Sequence, residues 1–390
     1  MVGASAVSSL LFIEPRKFWM HFDYQPRTRL VVGAGCLSQL GTLARENGAR
    51  RVLLVTDAGI VQAGHAARAM EFLQEAGLQV AAFDAVHENP TTHDVNECLQ
   101  VARAAEIDFF VGLGGGSSMD TAKGCNFLLT NGGQMSDYWG IGKANLPMLP
   151  LIAIPTTTGT GSECQSFALI ADEKSHLKMA CGDAKAAARI ALLDPELTLT
   201  QPRGVAAATG MDALSHAVET AVTTRRNALS KLFSREAFHL IEANFQRLTQ
   251  TPDDIEACAA MQLGAAWAGT AIENSMLGAA HAAANPLTAH FDVVHGHAVG
   301  VMLPHVVRFN AKENSARREY ELLFGDAEKL AARLEELLEV GGLPRNLHEC
   351  NVSRQAIPQM AKEAAAQWTA TFNPREIGAM EFEELYEEAF

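Results

Sequence analysis

The sequence Asp-Phe-Phe-Val-Gly-Leu-Gly-Gly-Gly-Ser-Ser-Met-Asp-Thr-Ala-Lys, residues 108–123, decides the fold class of this chain. An apolar run stops at three glycines and continues as a helix-compatible segment, which predicts a strand, a tight turn and a helix N-terminus. Glycines allow positive φ and close approach of a ligand, and the three here are Gly114, Gly115 and Gly116. We expect Ser117 or Ser118 to cap the helix.

This turn suits a pyrophosphate, because the free N–H groups and the positive end of the helix dipole face an anion. It is neither G-x-G-x-x-G nor a Walker A loop, since Lys123 follows Ala122 and no Gly-Lys-Ser/Thr sequence occurs. A purely structural turn is therefore the alternative interpretation.

On both sides of this turn, residues 29–200 alternate apolar strands with helical stretches. We predict strands at about 29–32, 51–55, 79–83, 108–112, 151–154 and 189–193, and helices at about 37–48, 59–76, 93–106 and 117–130. Such alternation predicts a mainly parallel, Rossmann-like α/β sheet. From Pro202 onward the pattern is helical, so we predict an α/β domain over residues 1–200 and an all-helical domain over residues 201–390.

Two further features favour a dinucleotide. Residues 155–163 read Pro-Thr-Thr-Thr-Gly-Thr-Gly-Ser-Glu after an apolar strand, and their hydroxyl groups can donate hydrogen bonds to phosphates, ribose or a carboxamide. Asp57 follows the strand at 51–55, where a carboxylate can accept bonds from ribose hydroxyls and repel a 2′-phosphate. This position favours NAD over NADP, with an ordinary helix cap as the alternative.

One carboxylate and three imidazoles have spacings typical of a metal site. Asp212 and His216 are four residues apart, so on a helix both side chains leave the same face. His281 and His295 follow His216 by 65 and 79 residues, in a second helix and the loop beyond it. A carboxylate in the apolar stretch around Asp212 requires a cation or hydrogen-bond donors. We therefore predict a divalent metal, while a hydrogen-bonded structural histidine is the alternative for each imidazole.

Composition indicates which classes of partner and which cellular compartment to expect. The net charge of −14 argues against nucleic acid or an anionic membrane. The seven cysteines form no C-x-x-C pair, which favours a reduced cytoplasm. The longest apolar run, residues 258–272, is too short to span a membrane and predicts a buried helix. Residues 1–13 lack a basic leader, so we interpret them as an extension and not as a signal peptide.

These motifs together resemble the iron-containing (group III) alcohol dehydrogenase family from about residue 33 to about residue 310. The shared motifs are Gly-Gly-Gly-Ser-x-x-Asp-x-Ala-Lys, Pro-Thr-Thr-x-Gly-Thr-Gly-Ser-Glu, Asp-Pro-x-Leu-Thr, Gly-x-Asp-Ala-Leu-x-His-Ala-x-Glu and the two distal histidines, at 114–123, 155–163, 194–198, 210–219, 281 and 295.

The resemblance implies that a divalent metal, Fe²⁺ first and Zn²⁺ second, is bound by Asp212, His216, His281 and His295. It also implies that NAD is held by the two turns, the end of the strand at 51–55 and two positions nearby: Asp57, Asn89, Gly114, Gly115, Gly116, Ser117, Asp120, Thr156, Thr157, Thr160 and Lys178. The implied partner is a small alcohol or aldehyde, and the implied assembly is a homodimer or larger homo-oligomer.

Two departures from the family pattern bear on the substrate. Asn285 occupies the place of a further histidine that is often given a part in substrate binding or proton transfer, and asparagine cannot titrate. Cys164-Gln165 replaces an aliphatic residue and threonine after the Ser-Glu pair. No residue is therefore assigned as a catalytic acid or base.

Three functions remain open on the sequence. The first is an NAD- and metal-dependent alcohol dehydrogenase in which the metal acts as a Lewis acid. The second is a hydroxyacid–oxoacid transhydrogenase or another metal- and NAD-using enzyme on the same scaffold, such as a cyclase of the dehydroquinate synthase type. The third is a non-catalytic nucleotide-binding or sensor protein.

Overall fold

A six-stranded parallel sheet forms the first half of the protein. The computed structural model describes residues 24–174 and 177–390, so the predicted N-terminal extension at 1–13 lies outside the described residues. The strand order is β1-β9-β6-β4-β2-β3, and a smaller sheet has the order β5-β8-β7. The nine strands are β1 (Arg29–Val32), β2 (Arg51–Val55), β3 (Gln79–Phe83), β4 (Phe109–Gly114), β5 (Gly140–Ile141), β6 (Leu151–Pro155), β7 (Phe167–Ala171), β8 (Lys178–Gly182) and β9 (Ile190–Leu193).

Within the part of the chain that the structure describes, five α-helices cover the large sheet and nine follow it. The helices of the first half are α1 (Leu40–Glu46), α2 (Ala58–Gln62), α3 (His65–Glu75), α4 (Thr92–Ala104) and α5 (Gly116–Asn131). Those of the second half are α6 (Arg203–Thr220), α7 (Ala228–Gln250), α8 (Ile255–Ser275), α9 (Ala279–Phe291), α10 (His295–Asn310), α11 (Asn314–Phe324), α12 (Ala327–Val340), α13 (Ile357–Ala366) and α14 (Ala379–Glu388). The predicted α/β sheet followed by a helical region is confirmed.

Alternation along the strands divides the core into two layers. Leu53 and Val55 pack on the face covered by α4 and α5, whereas Val52 and Leu54 pack on the face covered by α1 and α3. Successive residues of a strand point to opposite faces, so a strand buried on both faces must be apolar throughout. This explains the continuous apolar runs from which the strands were predicted.

The helical half has a core of its own, in which α6 and α10 are nearly surrounded by other helices. Across residues 24–174 and 177–390, no helix combines the length and apolar character needed to cross a membrane. The predicted buried helix at 258–272 corresponds to the middle of α8.

Two predicted details differ from the structure. The stretch at 59–76 is two helices, because Gly64 adopts a left-handed φ of 81° and separates α2 from α3. The small sheet was not predicted at all. Its strands β7 and β8 form an antiparallel pair and therefore interrupt the strand–helix alternation.

A close backbone contact joins the two halves of the protein. The Cβ of an alanine at Gly269 in α8 would stand 2.2 Å from the carbonyl oxygen of Gly161, and Gly161 itself has a left-handed φ of 63°. Beside them, the Gln262 amide donates a hydrogen bond of 2.9 Å to the carbonyl of Pro155. The turn after β6 thus rests directly on α8.

We expect Gly269→Ala to lower the free energy of unfolding by about 1–3 kcal/mol, because a methyl group cannot enter this contact without moving α8 or the turn. Chemical denaturation measures the change. Gly204→Ala in α6 is the matched control, since its Cβ meets no atom within 4 Å. Equal stability of the Gly269→Ala variant and the unaltered protein would contradict the prediction.

Candidate cofactor and metal site

The two turns predicted to bind a nucleotide lie side by side. The strands β4 and β6 are neighbours, with Gly114 opposite Pro155, so their carboxyl ends meet at one edge of the sheet. The N–H of Thr156 donates a 3.0 Å hydrogen bond to the carbonyl of Gly114. Ligands of open parallel sheets bind at such an edge.

The glycine turn leaves no room for side chains at two of its three positions, Gly114 and Gly116. The Cβ of an alanine at Gly116 would lie 2.8 Å from Cγ2 of Thr160, and one at Gly114, where φ is 148°, would lie 2.4 Å from Oγ of Ser118. An alanine at Gly115 would make only an ordinary contact with Thr157. The hydroxyl-rich turn is therefore in van der Waals contact with the glycine turn.

The predicted serine cap of α5 is wrong. The N-cap is Gly115, and no side chain caps this end of the helix. Ser118 instead donates to Oδ2 of Asp57 at 3.3 Å. The first N–H groups of α5 are consequently available to an anion.

Asp57 both caps a helix and lies beside the glycine turn. Its Oδ1 accepts a 3.1 Å hydrogen bond from the N–H of Ile60 in α2, while Oδ2 faces Ser118. Asp57 therefore does cap α2, as one interpretation of the sequence expected. Its second oxygen lies beside the glycine turn, so the other interpretation, a contact with the ribose, stays possible in the same conformation.

A buried lysine of α5 is hydrogen-bonded to the end of the hydroxyl-rich turn and to β7. Nζ of Lys123 donates to the carbonyl and to Oγ of Ser162, each at 2.7 Å, and to the carbonyl of Phe167 at 3.0 Å. Ser162 Oγ in turn donates to Oδ1 of Asp120 at 2.7 Å, and Oδ2 accepts the N–H of Leu169 at 3.1 Å. Both oxygens of Asp120 are therefore engaged by the protein, which gives this residue a supporting position under the turn.

The charges that act on Lys178 come from both predicted sites. This residue opens β8, and burial lowers its pKa, although the charges of Asp120, Asp212 and Glu88 act in the opposite direction. Asn89 lies in an exposed loop with a φ of 52°. That loop is held beside β7, because the N–H of Ala171 donates to the carbonyl of Pro90 at 2.9 Å.

The three histidines of the predicted metal quartet surround one carboxylate oxygen, and Asp212, His216 and His281 have ligand atoms that all lie within 4.8 Å of one another. Oδ1 of Asp212 lies 3.3 Å from Nε2 of His216, 3.5 Å from Nε2 of His281 and 3.9 Å from Nε2 of His295. Asp212 and His216 share one face of α6, His281 lies in α9, and His295 is the first residue of α10. The rings of His216 and His281 stack with centroids 4.8 Å apart.

These positions fit a divalent cation. Among the described residues, Oδ1 of Asp212 and Nε2 of His281 are buried without a hydrogen-bond partner, although they face each other. Ligand atoms around a tetrahedral ion with bonds near 2.1 Å stand about 3.4 Å apart, close to two of the three observed distances. An ionised carboxylate buried among imidazole nitrogens requires a positive charge beside it.

The electrostatics of the imidazoles agree with this arrangement. Burial lowers the pKa of His216 to about 4 and that of His295 to about 3, so both rings are neutral at pH 7 and present lone pairs. Burial also acts to lower the pKa of His281, but the charges of Glu219 and Asp212 outweigh it and raise that pKa to about 9. A cation binding at His281 therefore displaces a proton.

A glycine allows the histidine helices to approach α6. The Cβ of an alanine at Gly296, the residue after His295, would stand 2.0 Å from the carbonyl oxygen of Ala208 in α6. Backbone contact at this point brings His295 to Asp212 although 83 residues separate them in the sequence.

Glu219 is a buried residue of the site to which the sequence analysis gave no role. Its Oε2 lies 2.5 Å from Nδ1 of His281, and its Oε1 accepts a 2.7 Å hydrogen bond from the N–H of Ala280. The sequence signal was available, because Asp212, His216 and Glu219 occupy positions i, i+4 and i+7 of one helical stripe.

Three further histidines of α9 and α10 do not belong to the quartet. His290 pairs with Glu363 at 2.6 Å on the surface, and His305 lies 3.9 Å from Glu388. His297 is in α10 beyond the quartet, and burial lowers its pKa.

Both departures from the family pattern lie near the site. Asn285 is one helical turn after His281 in α9, and its Nδ2 donates to Oε1 of Gln367 at 3.0 Å. Cys164 is buried, and the Gln165 amide donates to the carbonyl of Thr160 at 2.9 Å, which fixes the second turn.

Comparison with known protein families gives two matches that together span most of the chain. The model described as "Iron-containing alcohol dehydrogenase" matches residues 26–195. The model described as "Fe-containing alcohol dehydrogenase family, C-terminal" matches residues 206–390. The first match contains both nucleotide turns, and the second contains the quartet.

Individual relatives are similar over nearly their whole length. The chain is 35% identical to an NAD-dependent methanol dehydrogenase of Bacillus methanolicus, covering 88% of this chain and 93% of that protein. It is 31% identical to a 1,3-propanediol dehydrogenase of Klebsiella pneumoniae, covering 95% of this chain and 99% of that protein. A crystal structure of a 1,3-propanediol oxidoreductase superposes with a TM-score of 0.92 at 31% identity, covering 95% of this chain and 100% of that one.

Proposed function

The chain belongs to the iron-containing alcohol dehydrogenase family and is an NAD-dependent oxidoreductase of that family, and we propose that it transfers hydride between NAD(H) and a small alcohol or aldehyde. The observation that carries the proposal is the position of Asp212. Its oxygen Oδ1, buried without a hydrogen-bond partner among three imidazoles, belongs to α6, and the hydroxyl-rich turn packs against this helix, because the Cβ of an alanine at Gly159 would stand 2.4 Å from Cβ of Thr209.

We assign the cofactor to the edge of the sheet. The pyrophosphate is held by the backbone of Gly114, Gly115 and Gly116, next to the uncapped end of α5. Asp57 binds the adenosine ribose, and Lys178 lies beside the cofactor. Further contacts come from the turns and from the neighbouring loop: Asn89, Ser117, Thr156, Thr157 and Thr160. Asp120 acts by supporting the turn.

We assign the metal to Asp212, His216, His281 and His295, with Fe²⁺ first and Zn²⁺ second. When bound, the ion supplies Lewis acidity and NAD⁺ accepts the hydride, so that an alcohol and NAD⁺ give an aldehyde, NADH and a proton. Asp212 supplies the negative charge and the imidazoles supply neutral donors. Asp212, His216 and His281 are buried, which keeps bulk water away from three of the four assigned ligands.

The proposal places the α/β domain at 1–200 and the helical domain at 201–390, with the substrate between them. It also places the protein in the cytoplasm as a homodimer or larger homo-oligomer. All seven cysteines are free thiols, which agrees with a reducing compartment. Within the described residues β1 pairs only with β9, so an edge of the large sheet is open to a second copy.

The function is tested by following NADH absorbance with short alcohols, diols and hydroxyacids on metal-free protein refilled with Fe²⁺, Zn²⁺, Co²⁺ or Ni²⁺. We expect NADH to accumulate from NAD⁺ and one alcohol alone. We also expect His216→Ala and His281→Ala to remove most of the metal and nearly all turnover, with NAD affinity changed only a few-fold, because the ligands and the nucleotide turns are separate.

His290→Ala is the matched control for these variants, since its imidazole pairs with Glu363 away from the quartet. It should retain full metal content by elemental analysis. Full metal content in both ligand variants would contradict the metal site, and a strict requirement for a second oxoacid would indicate transhydrogenation.

Cofactor choice is tested at Asp57. We expect Asp57→Ser to shift the preference between NAD and NADP by roughly 1–3 kcal/mol toward NADP, because the carboxylate accepts ribose hydroxyls and repels a phosphate. The values of kcat/KM for both cofactors measure the shift. Asp326→Ser, which alters only the N-cap of α12, is the control. An unchanged ratio would mean that Asp57 is solely a cap.

The departure at Asn285 is tested by restoring histidine. We expect Asn285→His to keep the metal and to add a group that titrates near pH ~6.5. A neutral imidazole is the basic form, so any gain in alcohol oxidation should appear above that pH and vanish below it. The pH dependence of kcat/KM measures this, with Asn285→Gln as the non-titrating control. Identical profiles, with metal and NAD occupancy verified, would show that position 285 has a steric role.

A further inference from the structure

We propose that Glu219 is a positioning residue that fixes the tautomer of His281, so that Nε2 of this imidazole offers its lone pair to the metal. The inference rests on the proposed metal site. Glu219 is not one of the four ligands. It contacts Nδ1 of His281, whereas Nε2 of the same ring faces the metal site.

Glu219 is a buried carboxylate whose partners are all hydrogen-bond donors. Only 3% of the residue is exposed, and within the described residues no lysine or arginine forms an ion pair with it. Its charge is instead offset by Nδ1 of His281, at 2.5 Å, and by the N–H of Ala280, at 2.7 Å. The second contact is with the N-terminus of α9, where the helix dipole favours a negative charge.

This geometry determines which nitrogen of His281 carries hydrogen. An ionised carboxylate only accepts hydrogen bonds, so Nδ1 must be the donor. A neutral ring then has a bare lone pair on Nε2, which faces Oδ1 of Asp212 at 3.5 Å. Two acceptors that face each other in a buried site require a proton or a metal cation between them, and a bound metal would take the place of that proton. Glu219 thereby converts His281 from a hydrogen-bond donor to Asp212 into a ligand.

Glu219 also sets the position of the helix that carries His281. α9 begins after Gly278, which has no side chain to cap the helix. The two acceptors at this end come from elsewhere in the chain. One is Glu219 in α6, and the other is Asn373, whose Oδ1 accepts from the N–H of Ala279 at 3.4 Å. The Cβ of an alanine at Gly278 would stand 3.0 Å from Oε1 of Glu219 and 3.2 Å from Oδ1 of Asn373. One carboxylate of α6 thus orients both the ring and its helix.

Glu219→Gln cannot keep both of these contacts. A glutamine that keeps Oε1 on the N–H of Ala280 presents its NH₂ group to Nδ1 of His281, which moves the ring hydrogen to Nε2 and into the ligand position. A glutamine in the opposite orientation places its NH₂ group against the N–H of Ala280. Either orientation loses one of the two contacts, although the side chains have nearly the same size.

The experiment measures metal affinity on metal-free protein by competition between Co²⁺ and a chelator, together with the Co²⁺ absorption spectrum and NAD affinity. We expect Glu219→Gln to weaken Co²⁺ binding roughly 10- to 100-fold and to change the spectrum, with NAD affinity unaltered. Asn373→Ala is the matched control, because it removes the other acceptor at the same helix end without touching His281. It should lower the melting temperature and leave Co²⁺ affinity unchanged.

Each result decides between explanations. Unaltered Co²⁺ affinity and spectrum in Glu219→Gln would overturn the inference while leaving the metal site intact, provided that His281→Ala loses the metal. Equal weakening in Glu219→Gln and Asn373→Ala would also overturn it, because the effect would then come from the placement of the helices that Asn373 contacts, α9 at Ala279 and α10 at Asn310. Retention of metal by His281→Ala would instead overturn the proposed site.

Discussion

The burial of one carboxylate among three imidazoles is the constraint on which the helical half of the protein depends. Taking an ionised carboxylate out of water costs several kcal/mol unless a cation or donors replace the lost hydration. Asp212 presents its free oxygen to three imidazole nitrogens, which α6, α9 and α10 bring together at this point. The core of small residues and the backbone contact at Gly296 make that meeting sterically possible.

The α/β half and the helical half are connected through few but tight contacts. Gly161 touches α8 through its backbone, and Lys123 ties the same turn to α5 and β7. Because the turn after β6 is held on both sides, its hydroxyl groups have fixed positions relative to Asp212. Such preorganisation holds reacting groups in place without an ordering step.

Local sequence patterns were enough to predict most of the fold and the metal-ligand set. Contacts between residues far apart in the sequence could not be predicted from such patterns. Apolar runs placed all six strands of the large sheet within two residues at each end. The small sheet was missed because β7 and β8 contain few β-branched residues and follow each other without a helix. Ser118 was expected at a cap, yet its partner is Asp57, which is 61 residues away in the sequence. Glu219 lies on the same face of α6 as Asp212 and His216, but its contact with His281 is visible only in the folded structure.

The four residues of the quartet are not equally covered. The side chain of His295 is 26% exposed, whereas those of Asp212, His216 and His281 are 6–7% exposed. Solvent therefore reaches the quartet beside His295, and a metal ion bound at the proposed site would enter and leave past this residue.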